Sequence, residues 1–191
     1  MMRRTILAVL SLALLIHTPF AQAQRGQVRR DPMTDKEIDE MRELRDQPDK
    51  RIKLMVSIIQ KRADALNQLE KSPKVKPSER GAQIHDLLED ITNLVDEFQE
   101  NIDTFLKESA DFRKPLNESV TMQTALQAQL HGMQTADADK PWFSEYQFQL
   151  TDAIEAVDQS LKSTKDAVVE DERVVKEQKE KEKAAQRARP R

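Results

Sequence analysis

Cysteine is absent from the 191-residue chain, glycine occurs three times, and only eight residues are aromatic. Without a thiol there is no disulfide, no thiolate metal site, no covalently attached c-type haem and no cysteine nucleophile. Gly26, Gly81 and Gly132 lie too far apart to form a glycine-rich phosphate cradle, which removes the P-loop and dinucleotide fingerprints. Scarcity of glycine and aromatics also argues against an all-β fold. Charge is what the chain has in quantity, with 31 Lys and Arg against 34 Asp and Glu, in the proportions of long helices.

Arg3 and Arg4 precede an apolar run from Ile6 to Ile16, followed by Pro19 and the small-x-small triplet Ala21-Gln22-Ala23. These are the parts of a secretory signal peptide, with cleavage expected after Ala23 and a periplasmic or secreted mature protein. The apolar run is too short to cross about 30 Å of hydrocarbon as a permanent helix. Residues 24–191 then hold 29 positive and 34 negative side chains, a net charge of −5, with about a third of the residues apolar. That suffices for one modest core if the apolar residues are well placed.

Residues 24–33 read as a disordered basic leader, and order is expected from Thr34. Thr34 and Glu37 have capping-box spacing, with Met33 and Ile38 as a hydrophobic staple. This short helix should stop at Pro48, where the ring clashes with a preceding turn, and restart with Asp46 or Gln47 as cap. Ile52, Met55, Ile59, Leu66 and Leu69 outline a second helix, closed by Ser72-Pro73 and Lys76-Pro77. Ile84, Ile91, Phe98 and Phe105 recur every seven residues, flanked by Leu88, Val95 and Ile102, and form a heptad seam. The seam can close within one chain or between two, which leaves a homodimer open.

Asp111 and Pro115 mark the next break, and Leu116 to Met133 a shorter helix. Asp139 and Pro141 are placed to start a last helix whose stripe runs from Phe143 through Leu150, Val157 and Leu161 to Val175. No large apolar residue follows Val175. Residues 176–191 therefore read as a charged helical or disordered tail beyond a bundle domain spanning 34–175. Short connectors imply antiparallel neighbours, so the expected fold is all-α: an antiparallel, up-and-down four-helix bundle with a short N-terminal helix and an overhanging C-terminal one.

Charge is segregated. Residues 50–80 carry a net +6 and residues 82–111 a net −8, so these helices should lie side by side with opposite fields. The other reading leaves the acidic face solvated, to meet a cation or a basic partner.

Catalytic constellations are hard to find. Ala82 and Ala128 precede His85 and His131 by three, where a carboxylate-bridged di-iron bundle needs Glu. His85 with Glu89 reads as an exposed helix contact, and Asp137 with Asp139 as capping residues. A non-covalent haem would need His85 or His131 with Met55, Met122 or Met133, but methionine at helical spacing fills cores. Ser160-Leu161-Lys162 and Ser163-Thr164-Lys165 lack the Ser-x-x-Lys spacing that activates a nucleophile. No catalytic, metal or cofactor site is therefore assigned.

Two surface features remain. Trp142, Phe143, Tyr146 and Phe148 cluster within seven residues; Trp142 and Tyr146 would share a helix face, and the group serves as either a bundle-end plug or an aromatic anchor. The tail from Lys176 has seven basic and three acidic residues and ends on Arg187, Arg189 and Arg191. Trp142, Phe143, Tyr146 and the three arginines are the candidate interaction surface, for an envelope protein or an anionic surface. An exported, net-acidic protein without a basic recognition face does not suit nucleic acid.

The stretch Asp35 to Leu69, with its Asp49-Lys50-Arg51-Ile52 restart, and the His85-Asp86-Leu87-Leu88 segment resemble uncharacterised exported bacterial helical proteins. The resemblance covers about a third of the chain, implies a bacterial envelope setting, and carries no ligand or active site. The expected role is that of an adaptor, scaffold or chaperone-like binder, not an enzyme. The alternative is an amphipathic bundle that opens onto a lipid surface.

Overall fold

In the computed structural model residues 30–107 and 113–187 are described. The expected signal peptide, its cleavage point, most of the basic leader, Asp111, Arg189 and Arg191 lie outside the described residues.

Helix α1 (Asp35–Glu43) begins as the capping box requires: the Glu37 amide donates to Thr34 Oγ1 at 3.3 Å and the Thr34 amide to Glu37 Oε2 at 3.0 Å. Pro48 opens α2 (Pro48–Lys71), where its missing N–H costs no helical bond, and Gln47 precedes it without a side-chain cap. Helix α3 (Pro77–Lys107) likewise starts on a proline, and α4 spans Arg113–Ala136, running on past Gly132. A 3₁₀ turn at Phe143–Glu145 then leads into α5 (Gln147–Arg187). Among the described residues there is no strand, so the chain is all-α.

The last helix starts six residues after Pro141, where the sequence pattern had set its beginning. Tyr146 explains the delay. Its backbone, at φ −135° and ψ 3°, leaves helical geometry and turns the side chain fully into the core. Trp142 and Tyr146 consequently do not share a helix face; Phe143 meets Tyr146 instead, edge-on, with ring centroids 5.5 Å apart.

Specific contacts give the helix directions. Arg51 meets Asn101 and Arg62 meets Asp90, so α2 and α3 are antiparallel. Gln123 meets Ser160 and Asp137 meets Tyr146, so α4 and α5 are antiparallel as well. Gly81 lies against Glu145 and Gln99 against Ser160, which makes α3 and α5 parallel. Among the described residues α3 touches α2 and α5 but not α4, and α4 touches α2 and α5. The bundle is therefore two antiparallel hairpins laid side by side, and helices α3 and α4, consecutive in the chain, stand on opposite corners.

Ile84, Leu88, Ile91, Val95, Phe98, Ile102 and Phe105 are all buried inside this one chain, together with Ile52, Met55, Ile59 and Leu66 from α2. The heptad seam is thus closed internally and offers no face to a second copy. Removing a ring such as Phe98 from this packing should cost about 3–5 kcal/mol.

Polar groups interrupt the core at defined points. Gln123 Nε2 donates to Ser160 Oγ at 2.7 Å, and Ser160 Oγ donates to Gln99 Oε1 at 3.3 Å, tying α4, α5 and α3 together. Helix α1 is pinned by Glu37, which accepts from Arg62 at 2.7 Å and pairs with Lys61 at 3.5 Å. Burial by itself pushes the Glu37 carboxyl up, but the Thr34 amide and the Arg62 guanidinium outweigh it and hold the group down at about 2.

Candidate functional site

The sequence-selected residues fall at two ends of the molecule. Trp142, Phe143 and Tyr146 sit where α5 begins, and Arg187 where it stops, roughly 60 Å away along a 41-residue helix. Arg189 and Arg191 lie beyond the described residues.

At the first end the aromatic residues close the bundle. Tyr146 donates its hydroxyl hydrogen to Asp137 Oδ2, and Lys140 Nζ pairs with Asp137 Oδ1, so a buried carboxylate is held by partners on both sides. Burial, and then the bond to Asp137, raise the Tyr146 phenol above its ordinary range. Burial followed by the Asp137 charge pushes the neighbouring Glu70 carboxyl up. Such shifts also occur at catalytic centres, but here the phenol, carboxylate and ammonium satisfy one another beneath Phe143.

Arg80 completes this end. Its guanidinium donates to the carbonyls of Glu70, Ser72 and Val75, satisfying acceptors that the end of α2 leaves open, and stacks 5.2 Å from the Trp142 ring centroid. Gly81 allows the connector to come close, since a Cβ there would fall 2.9 Å from Glu145 Cβ. Tyr146 is thus wholly interior, while Trp142 and Phe143 are half-buried and packed on the core. Phe148, 70% exposed, is the aromatic that faces solvent.

The other end is built differently. In register, Lys107 at the close of α3 and Arg113 at the start of α4 both lie alongside residues 168–170 of α5, and Asp171 is the last buried residue among those described. Helix α5 nevertheless continues to Arg187, so about 16 residues, roughly 24 Å, project without a neighbour among the described residues. Their first turns are laced by Arg173, which bonds Glu170 at 2.5 Å and Glu177 at 2.5 Å. The Glu170 bond holds the arginine above its ordinary range. Lys176, Lys179 and Lys183 are exposed and have no ion pair among the described residues.

Candidate ligand residues sort by burial. Met55, Met122 and Met133 fill the core, whereas His131 is exposed and lies 3.4 Å from Asp158. His85, Asp86 and Glu89 bring ligand atoms within 4.8 Å of one another on the outer side of α3, at exposed or half-buried positions. A cleft of about 590 Å³ beside the start of α2 is lined by Arg45, Asp46, Arg51 and Glu100, two charges of each sign. The Glu97 carboxyl is raised by burial against the pull of Arg51.

Helices α2 and α3, of opposite net charge, lie side by side, and Arg62 pairs with Asp90 across them at 4.0 Å. Glu89, Asp96, Glu100 and Asp103 face outward. The Gln99–Ser160–Gln123 contact was hidden in the sequence because its members occupy stripe positions as polar residues. Their spacing, with Ser160 and Thr164 continuing the run of Ile154 and Val157, was the available signal.

No family model matches the chain, and no match was found among curated proteins or solved structures.

Proposed function

We propose that this is an exported, non-enzymatic helical protein of the cell envelope that acts as an adaptor, scaffold or chaperone-like binder through its surfaces. One observation carries the reading: α5 extends about 16 residues beyond the point where every neighbouring helix stops. The arm is laced in its first turns by the Arg173 pairs with Glu170 and Glu177, which suits a stiff arm that holds its tip away from the bundle. The tip is basic, with Arg187, Arg189 and Arg191 and no acid after Glu182, and favours an acidic or anionic partner surface.

The signal peptide expected from residues 1–23 supports export, and no helix among the described residues is long and apolar enough to cross a membrane. Two polar clusters of the bundle interior support binding over catalysis, since Gln123 with Ser160 and Tyr146 with Asp137 and Lys140 are engaged with one another. The test is crosslinking in intact cells, comparing the full chain with one ending at Val175. Partners captured by the first and lost with the second are the expected result. Equal capture by both, or turnover of a substrate by the purified chain, would overturn the reading.

A further inference from the structure

Two surfaces of this chain match each other. On the arm, Lys176, Lys179, Lys183 and Arg187 follow at intervals of three and four residues and so share a face, flanked by two acids, Glu172 and Glu180. On α3, Asp86, Glu89, Asp96, Glu100 and Asp103 form an outward stripe about 25 Å long, against about 24 Å for the arm. Glu89, Asp96 and Glu100 meet no Lys or Arg within ion-pair distance among the described residues. Read in opposite directions the two series span the same eleven residues and match to within one residue at each step: seven then four along Glu89, Asp96 and Glu100, eight then three along Arg187, Lys179 and Lys176.

The arm cannot fold back onto its own α3, because α5 is one continuous helix parallel to α3 and leaves the bundle where α3 ends. We propose that a second copy of the chain supplies the partner, its α3 lying antiparallel along the arm. A two-fold axis at the point where the arm emerges places each arm on the other copy's α3 simultaneously, so the contact closes at two chains instead of propagating. The pairs are Lys176 with Glu100, Lys179 with Asp96 and Arg187 with Glu89. Val169, 67% exposed at the base of the arm, adds an apolar edge beside them. After Val175 the arm has no apolar seam, so arm-to-arm coiled-coil pairing is not the route. The inference rests on reading the arm as a contact element and gives it a first partner.

Exposed ion pairs are individually weak and strongly screened, which sets the test. Sedimentation of the chain from Gln24 onward should give a twofold mass in about 0.01 M salt, where the Debye length is about 30 Å, and a single mass in about 1 M salt, where it is about 3 Å. Neither the arm variant Lys176→Glu/Lys179→Glu/Arg187→Glu nor the stripe variant Glu89→Lys/Asp96→Lys/Glu100→Lys should self-associate, while an equal mixture of the two should pair. All six positions are exposed, and unchanged circular dichroism will show that the variants fold. A single mass for the parent chain at low salt, self-association that survives either reversal, or a mixture that stays unpaired would overturn the proposal. Arm-dependent capture in cells would, in that event, still leave the adaptor reading standing.

Discussion

Tyr146 donates its hydroxyl to the Asp137 carboxylate across the connector between α4 and α5, and both side chains are withdrawn from solvent. This bond joins the residue that follows α4 to the residue that precedes α5 and accounts for the late start of α5. Tyr146→Phe keeps the ring but leaves Asp137 short of a donor. A loss of about 1–3 kcal/mol in urea unfolding is expected, against about 3–5 kcal/mol for Tyr146→Ala, which also empties the core.

Acid should release α1. The Glu37 carboxyl sits at about 2 in the folded chain against an ordinary 4.5, so its contribution is present above about pH 4.5 and lost as the pH falls through 2. The shift corresponds to roughly 3 kcal/mol. The parent and Glu37→Gln proteins should therefore differ in denaturant midpoint at neutral pH and converge near pH 2; a constant difference across that range would contradict the assignment.

Gly81→Ala sets two effects against each other. Alanine improves helix propensity by about 1 kcal/mol, but its Cβ would fall 2.3 Å from Glu145 Oε2 and 2.6 Å from Cδ. A net loss of about 1–3 kcal/mol is expected for the single change. With Glu145→Ala those two atoms are gone but the Cβ, 2.9 Å away, stays, so thermal melting of the double variant should recover only part of the loss.

The polar link in the core should show strong coupling. Ser160→Ala leaves the buried Gln123 amide without its acceptor, at about 1–3 kcal/mol. Gln123→Leu combined with Ser160→Ala removes both partners and should be milder than the Ser160 change alone. A double-mutant cycle gives the coupling, and additive losses would show that the bond carries no weight.

Shortening the arm should leave the fold alone. A chain ending at Val175 is expected to match the parent in unfolding free energy within about 0.5 kcal/mol, because residues 176–184 bury nothing.

Much of this architecture was legible in the sequence. Thr34 with Glu37, Pro48, the prolines before α3 and the Ile84-to-Phe105 repeat are local signals, and each fixes an element without reference to the rest of the chain. Placement of α3 and α4 on opposite corners was not legible, since a short connector constrains direction but not ring order. Around Tyr146 a helical spacing of aromatics competed with the need of a buried phenol for a partner, and the partner, Asp137, won. At the candidate site the arm was visible as a stripe that ran out after Val175. Its length could be measured only once Lys107 and Arg113 had shown where its neighbours end.

The parallel run of α3 and α5 has a mechanical side. Tension applied at Arg187 acts along the axis of α5, and the buried part of that helix is gripped by α3 and α4 over its whole length. The load is therefore shared as shear across many side-chain contacts at once, whereas a pull on a hairpin end would peel them apart in succession.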